Sequence, residues 1–282
     1  MMFRDLQTGM RAALPIAAGT AILAAWACGE VGSGPNAPAA IELKPLAAVA
    51  AVIGDSLRDV NGVALPIKAI VRNLKGDILP DAPVRYIYAD ATRDTAIFVD
   101  SITGYIVALK ALNVATPTAR IAARIGNSLQ IVRSVSVTVR PDSADRGVFS
   151  TVDTLRVTQP DAAVTAAANT SASLGIFVRH TGDNIAVVPN WLVKYEVILP
   201  ANPSNDSTRS VYLVDESQRV SNIDTTDAGG SAARYVRVRA NTFPATAAPD
   251  SAVVLVTVSY RGRNVKGAPI RIVVPVKQKA KS

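Results

Sequence analysis

Residues 118–125 read Thr-Ala-Arg-Ile-Ala-Ala-Arg-Ile, a spacing that fits a strand and not a helix. Successive side chains of a strand point to opposite faces, so Ala119, Ile121, Ala123 and Ile125 share an apolar face while Arg120 and Arg124 share a wet one. The next run repeats the pattern, with Val135, Val137 and Val139 inward and Ser134, Ser136 and Thr138 outward, and Gly126-Asn127 between them suits a tight hairpin turn. Short runs of this kind, separated by turn residues, recur to the end of the 282-residue chain with no long amphipathic helix among them. A half-buried sheet must cover its apolar face, and a chain of such runs does so by stacking sheets into sandwiches. Hydrophobic residues make up 49% of the sequence, ample for real cores, and only 5% are aromatic, which favours β-branched strand packing over aromatic-lined pockets.

The second half of the chain predicts strands over 174–179, 191–199, 210–215, 232–240, 251–260 and 265–276, with 202–209 as a surface loop. In the fifth of these, Val254, Val256 and Val258 face one way and Thr257 and Ser259 the other; Arg261-Gly262-Arg263-Asn264 turns the chain into the last strand. Trp191, Val193, Tyr195, Val197 and Leu199 alternate and are expected to project into the sandwich centre. An exposed Trp191 would be a sugar-stacking platform instead, but such a platform needs a second aromatic beside it, which Tyr235 alone does not supply. The Ala- and Thr-rich stretch over 161–173 interrupts the strand pattern.

Three segments, taken in order, resemble the bacterial immunoglobulin-like (Big) domains of invasin- and intimin-type surface proteins. They are the turn Asn73-Leu74-Lys75-Gly76, the strand start Gly104-Tyr105-Ile106-Val107-Ala108, and the run Ala119-x-Ile121-x-Ala123-x-x-Gly126. The resemblance spans about residues 41–139. The segment Thr226-Asp227-Ala228-Gly229-Gly230-Ser231-Ala232 is similar to a turn of another Big-domain subgroup, with Gly230 at a position that calls for positive φ. The resemblance implies a Greek-key-like sandwich used as a structural or adhesive module, without an active site. The expected fold class is therefore all-β, with two tandem immunoglobulin-like β-sandwich domains.

Arg4 and Arg11 precede an almost uninterrupted apolar run over 12–27, the layout of an export signal. The run is shorter than the roughly 20 residues of a membrane span, and it contains Pro15 and Gly19. Leu23-Ala24-Ala25-Trp26-Ala27-Cys28 resembles the lipobox of bacterial lipoproteins, although Ala25 and Trp26 depart from its usual residues. That resemblance implies that Cys28, the only cysteine, is acylated and becomes the mature N-terminus. Residues 29–40, rich in Gly, Pro and Ala, read as a tether. The expected organisation is 1–27 as a signal peptide or retained anchor, 28–40 as a lipidated tether, 41–140 and 147–277 as the two sandwiches, and 278–282 as a basic tail. The polar, turn-rich residues 141–147 mark the boundary between the sandwiches.

The single histidine, His180, and single cysteine exclude ordinary Cys/His zinc sites, and no nucleophile elbow, Walker loop or dinucleotide fingerprint occurs. His180 reads as a turn residue at a strand end. The best carboxylate cluster is Asp215-Glu216 with Asp224 and Asp227, of the kind a glycosidase pair or calcium site would need. Turn chemistry, with Arg219 and Arg234 as neutralising neighbours, is the expected role. No enzyme activity and no cofactor are expected.

The net charge is +8, and Arg261, Arg263, Lys266, Arg271, Lys277, Lys279 and Lys281 follow Asp250 with no further acidic residue. Arg237 and Arg239 share a strand face with Tyr235, a combination suited to phosphate or uronate groups. Tyr235, Arg237, Arg239, Arg261 and Arg263 are thus the expected partner contacts. The sequence points to an exported, membrane-anchored envelope protein on the periplasmic or cell-surface side, used for adhesion or protein-protein contact. The alternatives are a structural accessory subunit on the outward face of a larger membrane complex and a polysaccharide-binding protein. The partners weighed are the membrane, a protein of unknown identity and an acidic polysaccharide, among which the charge alone does not choose; nucleic acid is disfavoured by export.

Overall fold

The computed structural model describes residues 34–89, 96–112, 118–127, 129–157, 169–182, 185–201, 210–239 and 251–278. Among these the protein is all-β apart from one 3-10 turn at Gly147–Phe149. The first unit contains β1 (Pro38–Leu43), β2 (Ala50–Val52), β3 (Ala69–Asn73), β4 (Arg85–Tyr88), β5 (Ile97–Val99), β6 (Ile106–Ala108), β7 (Thr118–Ile125) and β8 (Leu129–Thr138). A sheet of order β2-β8-β7-β4 faces the ribbons β1-β3 and β5-β6. Leu57, Ile106, Ile121 and Val135 fill the space between.

The second unit follows with β9 (Ser143–Asp145), β10 (Leu155–Val157), β11 (Ile176–His180), β12 (Ala186–Val187), β13 (Leu192–Leu199), β14 (Val211–Val214) and β15 (Ile223–Thr225). It continues with β16 (Ser231–Ala232), β17 (Tyr235–Val238), β18 (Ser251–Thr257), β19 (Ser259–Tyr260), β20 (Arg263–Asn264) and β21 (Ile270–Gln278). A sheet of order β10-β21-β18-β13-β15 packs on the sheet β12-β11-β16, with β9 also on β11, and on the ribbon β14-β17. Tyr195, Val254, Val256, Ile176 and Ile272 form the centre of this separate core.

Both units follow one plan. An opening strand pairs antiparallel in one layer, β1 with β3 and β9 with β11, and a second short strand crosses to the other layer to pair parallel with the last strand, β2 with β8 and β10 with β21. The last strand then pairs with the same two neighbours in the same order, β7-β4 in one unit and β18-β13 in the other.

The alternation read from the sequence sets these faces. Ala119, Ile121 and Ala123 are at most 1% exposed, and the β7–β8 hairpin pairs Ile125 with Leu129 across its turn. Asn73 anchors the turn after β3, its Oδ1 accepting the N–H groups of Lys75 and Asp77. Gly230 has φ +74, and a Cβ there would stand 2.8 Å from the Val178 carbonyl oxygen. Arg261 and Gly262, at φ +49 and +74, supply the two left-handed residues of a tight hairpin between β19 and β20.

Several expectations need correction. Pro38–Ala40 belong to β1, not to the tether; proline is tolerated at the start of a strand, where its missing N–H costs least. Residues 141–147 are not a loose boundary, because Ser143–Asp145 pair with β11. Val139 packs against the second core, and Thr138 is buried, so alternation along β8 ends where the chain passes between units. The centre of the second core belongs to Tyr195, fully buried with its hydroxyl donating to the Ala232 carbonyl at 2.9 Å. Trp191 lies at the rim, and a bulge between Val197 and Leu199 turns Leu199 outward to 37% exposure. The loop expected at 202–209 and most of the interrupted stretch at 161–173 lie outside the described residues.

Candidate functional site

The two units meet where the loop after β2 touches the β19–β20 hairpin. Asp55 sits at the centre, its side chain only 4% exposed. Its Oδ1 accepts from the Ser56 N–H and the Arg58 Nη2, both at 2.8 Å, and its Oδ2 accepts from Arg58 Nε and from Arg261 Nε of the other unit, both at 2.9 Å. Burial alone would raise the Asp55 pKa. The hydrogen bonds from Arg58, Arg261, Ser56 and Tyr260 outweigh it and hold the carboxyl far below the usual carboxylate range. Arg58 and Arg261 are in turn pushed up by the carboxylate they share.

Side-chain and backbone contacts reinforce this clamp. The Ser259 hydroxyl donates to the Val60 carbonyl at 3.1 Å, and Leu192 packs against the first core. Gly62, at φ +82, abuts Gly262 so closely that a Cβ would run into the Gly262 nitrogen. Gly62→Ala should therefore cost about 2 kcal/mol through backbone strain and force the two tips apart, measurable as a lower melting temperature and faster amide exchange over 55–62 and 259–264.

The connection between the units is structured as well. The Asp142 N–H donates to the Arg179 carbonyl, and the Lys266 N–H donates to the Asp142 carbonyl, both at 3.0 Å. The Asp142 carboxylate accepts the Thr181 N–H and hydroxyl and lies 3.1 Å from His180 Nδ1. Burial pushes Asp142 up, but the Thr181 hydrogen bonds and the facing His180 and Arg140 hold it below the usual range.

Beside the clamp, a cleft of about 610 Å³ is lined by Arg140, Pro141, Asp142, Tyr260, Arg261, Arg263 and Lys266 with their neighbours. The Arg140 and Arg261 guanidiniums each lie 5.3 Å from the Tyr260 ring centroid, and Trp191 stands against the same ring at 6.1 Å. Trp191 thus has a second aromatic neighbour, but it is held against the core and not displayed.

The expected partner contacts divide between separate places. Arg261 and Arg263 line the cleft, whereas Tyr235, Arg237 and Arg239 run along and just past β17. There the Arg237 and Arg239 guanidiniums lie 6.0 and 5.5 Å from the Tyr212 ring centroid. Asp215, Asp224 and Asp227 line one depression of about 380 Å³, and each carboxylate is engaged. Asp215 pairs with Arg219 at 3.1 Å, Asp224 with Arg234 at 2.8 Å, and Asp227 Oδ1 accepts from the Gly229 and Ser231 N–H groups. The Arg219 N–H, above all, holds Asp215 below the usual range. Among the described residues no group of three or more His, Cys, Asp or Glu is placed to hold a metal ion. Cys28 lies outside the described residues, and among those described no helix is long and apolar enough to cross a membrane.

No protein-family profile matches the chain, and no curated protein does. Among solved structures, the S-layer protein SbsC is similar at 12% identity and TM-score 0.30, over 87% of this chain and 29% of that one. The Yersinia pseudotuberculosis adhesin InvE is similar at 13% identity and TM-score 0.28, over 87% and 61%. Repeats EC1-2 of human protocadherin-24 are similar at 14% identity and TM-score 0.26, over 87% and 100%. At such scores none of them lends this chain a function or a partner.

Asp55, Arg58 and Arg140 are the junction residues that sequence reading missed, and Lys266 was read only as part of the basic excess after Asp250. Asp55 and Arg261 are 206 positions apart, and no local pattern links them.

Proposed function

We propose that this chain is a non-enzymatic envelope protein, held to a membrane through Cys28, whose joined sandwiches present a binding surface to a macromolecular partner as one stiff body. The Asp55 clamp carries this reading. Two sandwiches in series ordinarily move relative to one another unless their interface prevents it. Here a buried carboxylate, arginines from both units and a glycine-only backbone contact fix one orientation. Fixed orientation matters to a protein that holds a partner at a set distance or touches it with both units. The open cleft beside the clamp supports recognition by surface charge.

The test is gentle detergent extraction of native membranes, affinity capture of the protein, and mass spectrometry of its N-terminus and of everything retained. The expected result is a diacylated Cys28 as first residue. A fixed stoichiometry of co-purifying membrane proteins would select the accessory-subunit form of this reading over adhesion. An intact Met1 would refute cleavage.

A further inference from the structure

We infer that the junction cleft is a binding site for an acidic polysaccharide, whose carboxylate or sulfate groups pair with Arg140, Arg263 and Lys266. Local pairing in and beside the cleft leaves Arg263 and Lys266 available, while Arg140 lies over the Tyr260 ring and faces Asp142 without a direct ion pair. Arg261 is committed to Asp55, and Asp142 to Thr181 and His180. Among the described residues no ion pair engages Arg140, Arg263 or Lys266, and all three are exposed. A volume of about 610 Å³ is in the range of sites that enclose a small ligand or a short segment of a chain.

The cations stand on firm supports. Arg263 is in β20, paired with Tyr260, and Lys266 is pinned by backbone hydrogen bonds to Asp142 and Ala144. Positive groups fixed around a concavity match the repeating charges of a linear polyanion, and arginine engages planar carboxylates with two parallel hydrogen bonds. A single-stranded nucleic acid would seek an aromatic face on which to stack its bases, and the Tyr260 ring is already attended by two guanidiniums and Trp191. A flat lipid surface would not fill a recess. The inference deepens the surface-binding reading by naming the ligand, and it rests on that reading but not on the anchor at Cys28.

The test uses full-length protein in neutral detergent, titrated calorimetrically with polygalacturonate, with duplex DNA and phosphatidylglycerol vesicles as parallel probes. Polygalacturonate binding that weakens with salt is expected, and Arg263→Glu/Lys266→Glu should weaken it by about tenfold or more. The matched pair Lys44→Glu/Lys75→Glu, exposed on the first unit, should change it by less than about twofold. Arg263→Gln/Lys266→Gln should give an intermediate loss and covers the case in which charge reversal disturbs folding. Absence of polygalacturonate binding, or equal loss in both charge-reversal pairs, would overturn the inference. So would a cleft-dependent affinity for DNA or vesicles in place of the polysaccharide. If the cleft fails while Cys28 proves diacylated, the envelope reading stands without this ligand.

Discussion

Asp55→Ala should lower the stability of the first unit by about 2–3 kcal/mol and release it from the second. Removing one partner of a buried ion pair typically costs about 3–5 kcal/mol because the opposite charge is left uncompensated. The lower figure applies because Arg58 and Arg261 keep 22% and 54% of their side-chain exposure and so retain hydration. Thermal melts would show the loss, and small-angle scattering would show a wider distribution of lengths. The wild type should behave similarly in acid. Asp55 titrates far lower in the folded state than the roughly 3.9 of an unfolded aspartate, so its contribution is fully present above about pH 4 and is lost as pH falls toward the folded value. Asp55→Asn keeps the size of the side chain but removes the charge. It should show a smaller loss at neutral pH and little further loosening between pH 4 and pH 2. Equal scattering profiles for wild type and Asp55→Ala would refute the clamp.

Tyr195→Ala should destabilise the second unit by about 4 kcal/mol, the usual cost of emptying an aromatic site in a closed core. Tyr195 is fully buried among Val193, Val254 and Ile176 neighbours of the same cluster, and burial pushes its hydroxyl pKa well up, so the phenol remains a proton donor. Tyr195→Phe separates the two contributions. It keeps the ring but leaves the Ala232 carbonyl without its side-chain donor, which should cost about 1 kcal/mol. Denaturant melts of both variants give the comparison. A loss from Tyr195→Phe as large as that from Tyr195→Ala would mean that the hydrogen bond, and not the packing, organises this core.

Much of the architecture was legible because strand parity is local information. The faces of β7 and the inward Val254, Val256 and Val258 follow from neighbours a few residues apart, while the turns at Asn73 and Gly230 came from the resemblance to Big domains. Parity does not give depth, however. Trp191 and Tyr195 share a parity, and only the position of the second unit's layers decides that Tyr195 is central while Trp191 meets Tyr260 at the rim. Composition misjudged residues 38–40 and 141–147, where Pro, Ala, Ser and Asp serve as strand residues because a partner strand is at hand. One side of the cleft was legible as the basic excess of Arg261, Arg263 and Lys266. The other side, Arg140, required knowing that the connection folds back on the last hairpin.

The parallel pairing that closes each unit bears on how the molecule carries load. A pull applied between the start of β1 and the end of β21 draws β2 against β8 and β10 against β21 along their lengths, three paired residues in each case. Bonds arranged in this way are sheared together and do not open one after another like a zip, so each unit resists as a block. Only residues 139–142 separate β8 from β9, and Val139 and Asp142 are themselves held by the second unit, so no slack chain is available to absorb an extension. A pull across the described chain is therefore expected to load the two parallel pairs before the link between the units can lengthen.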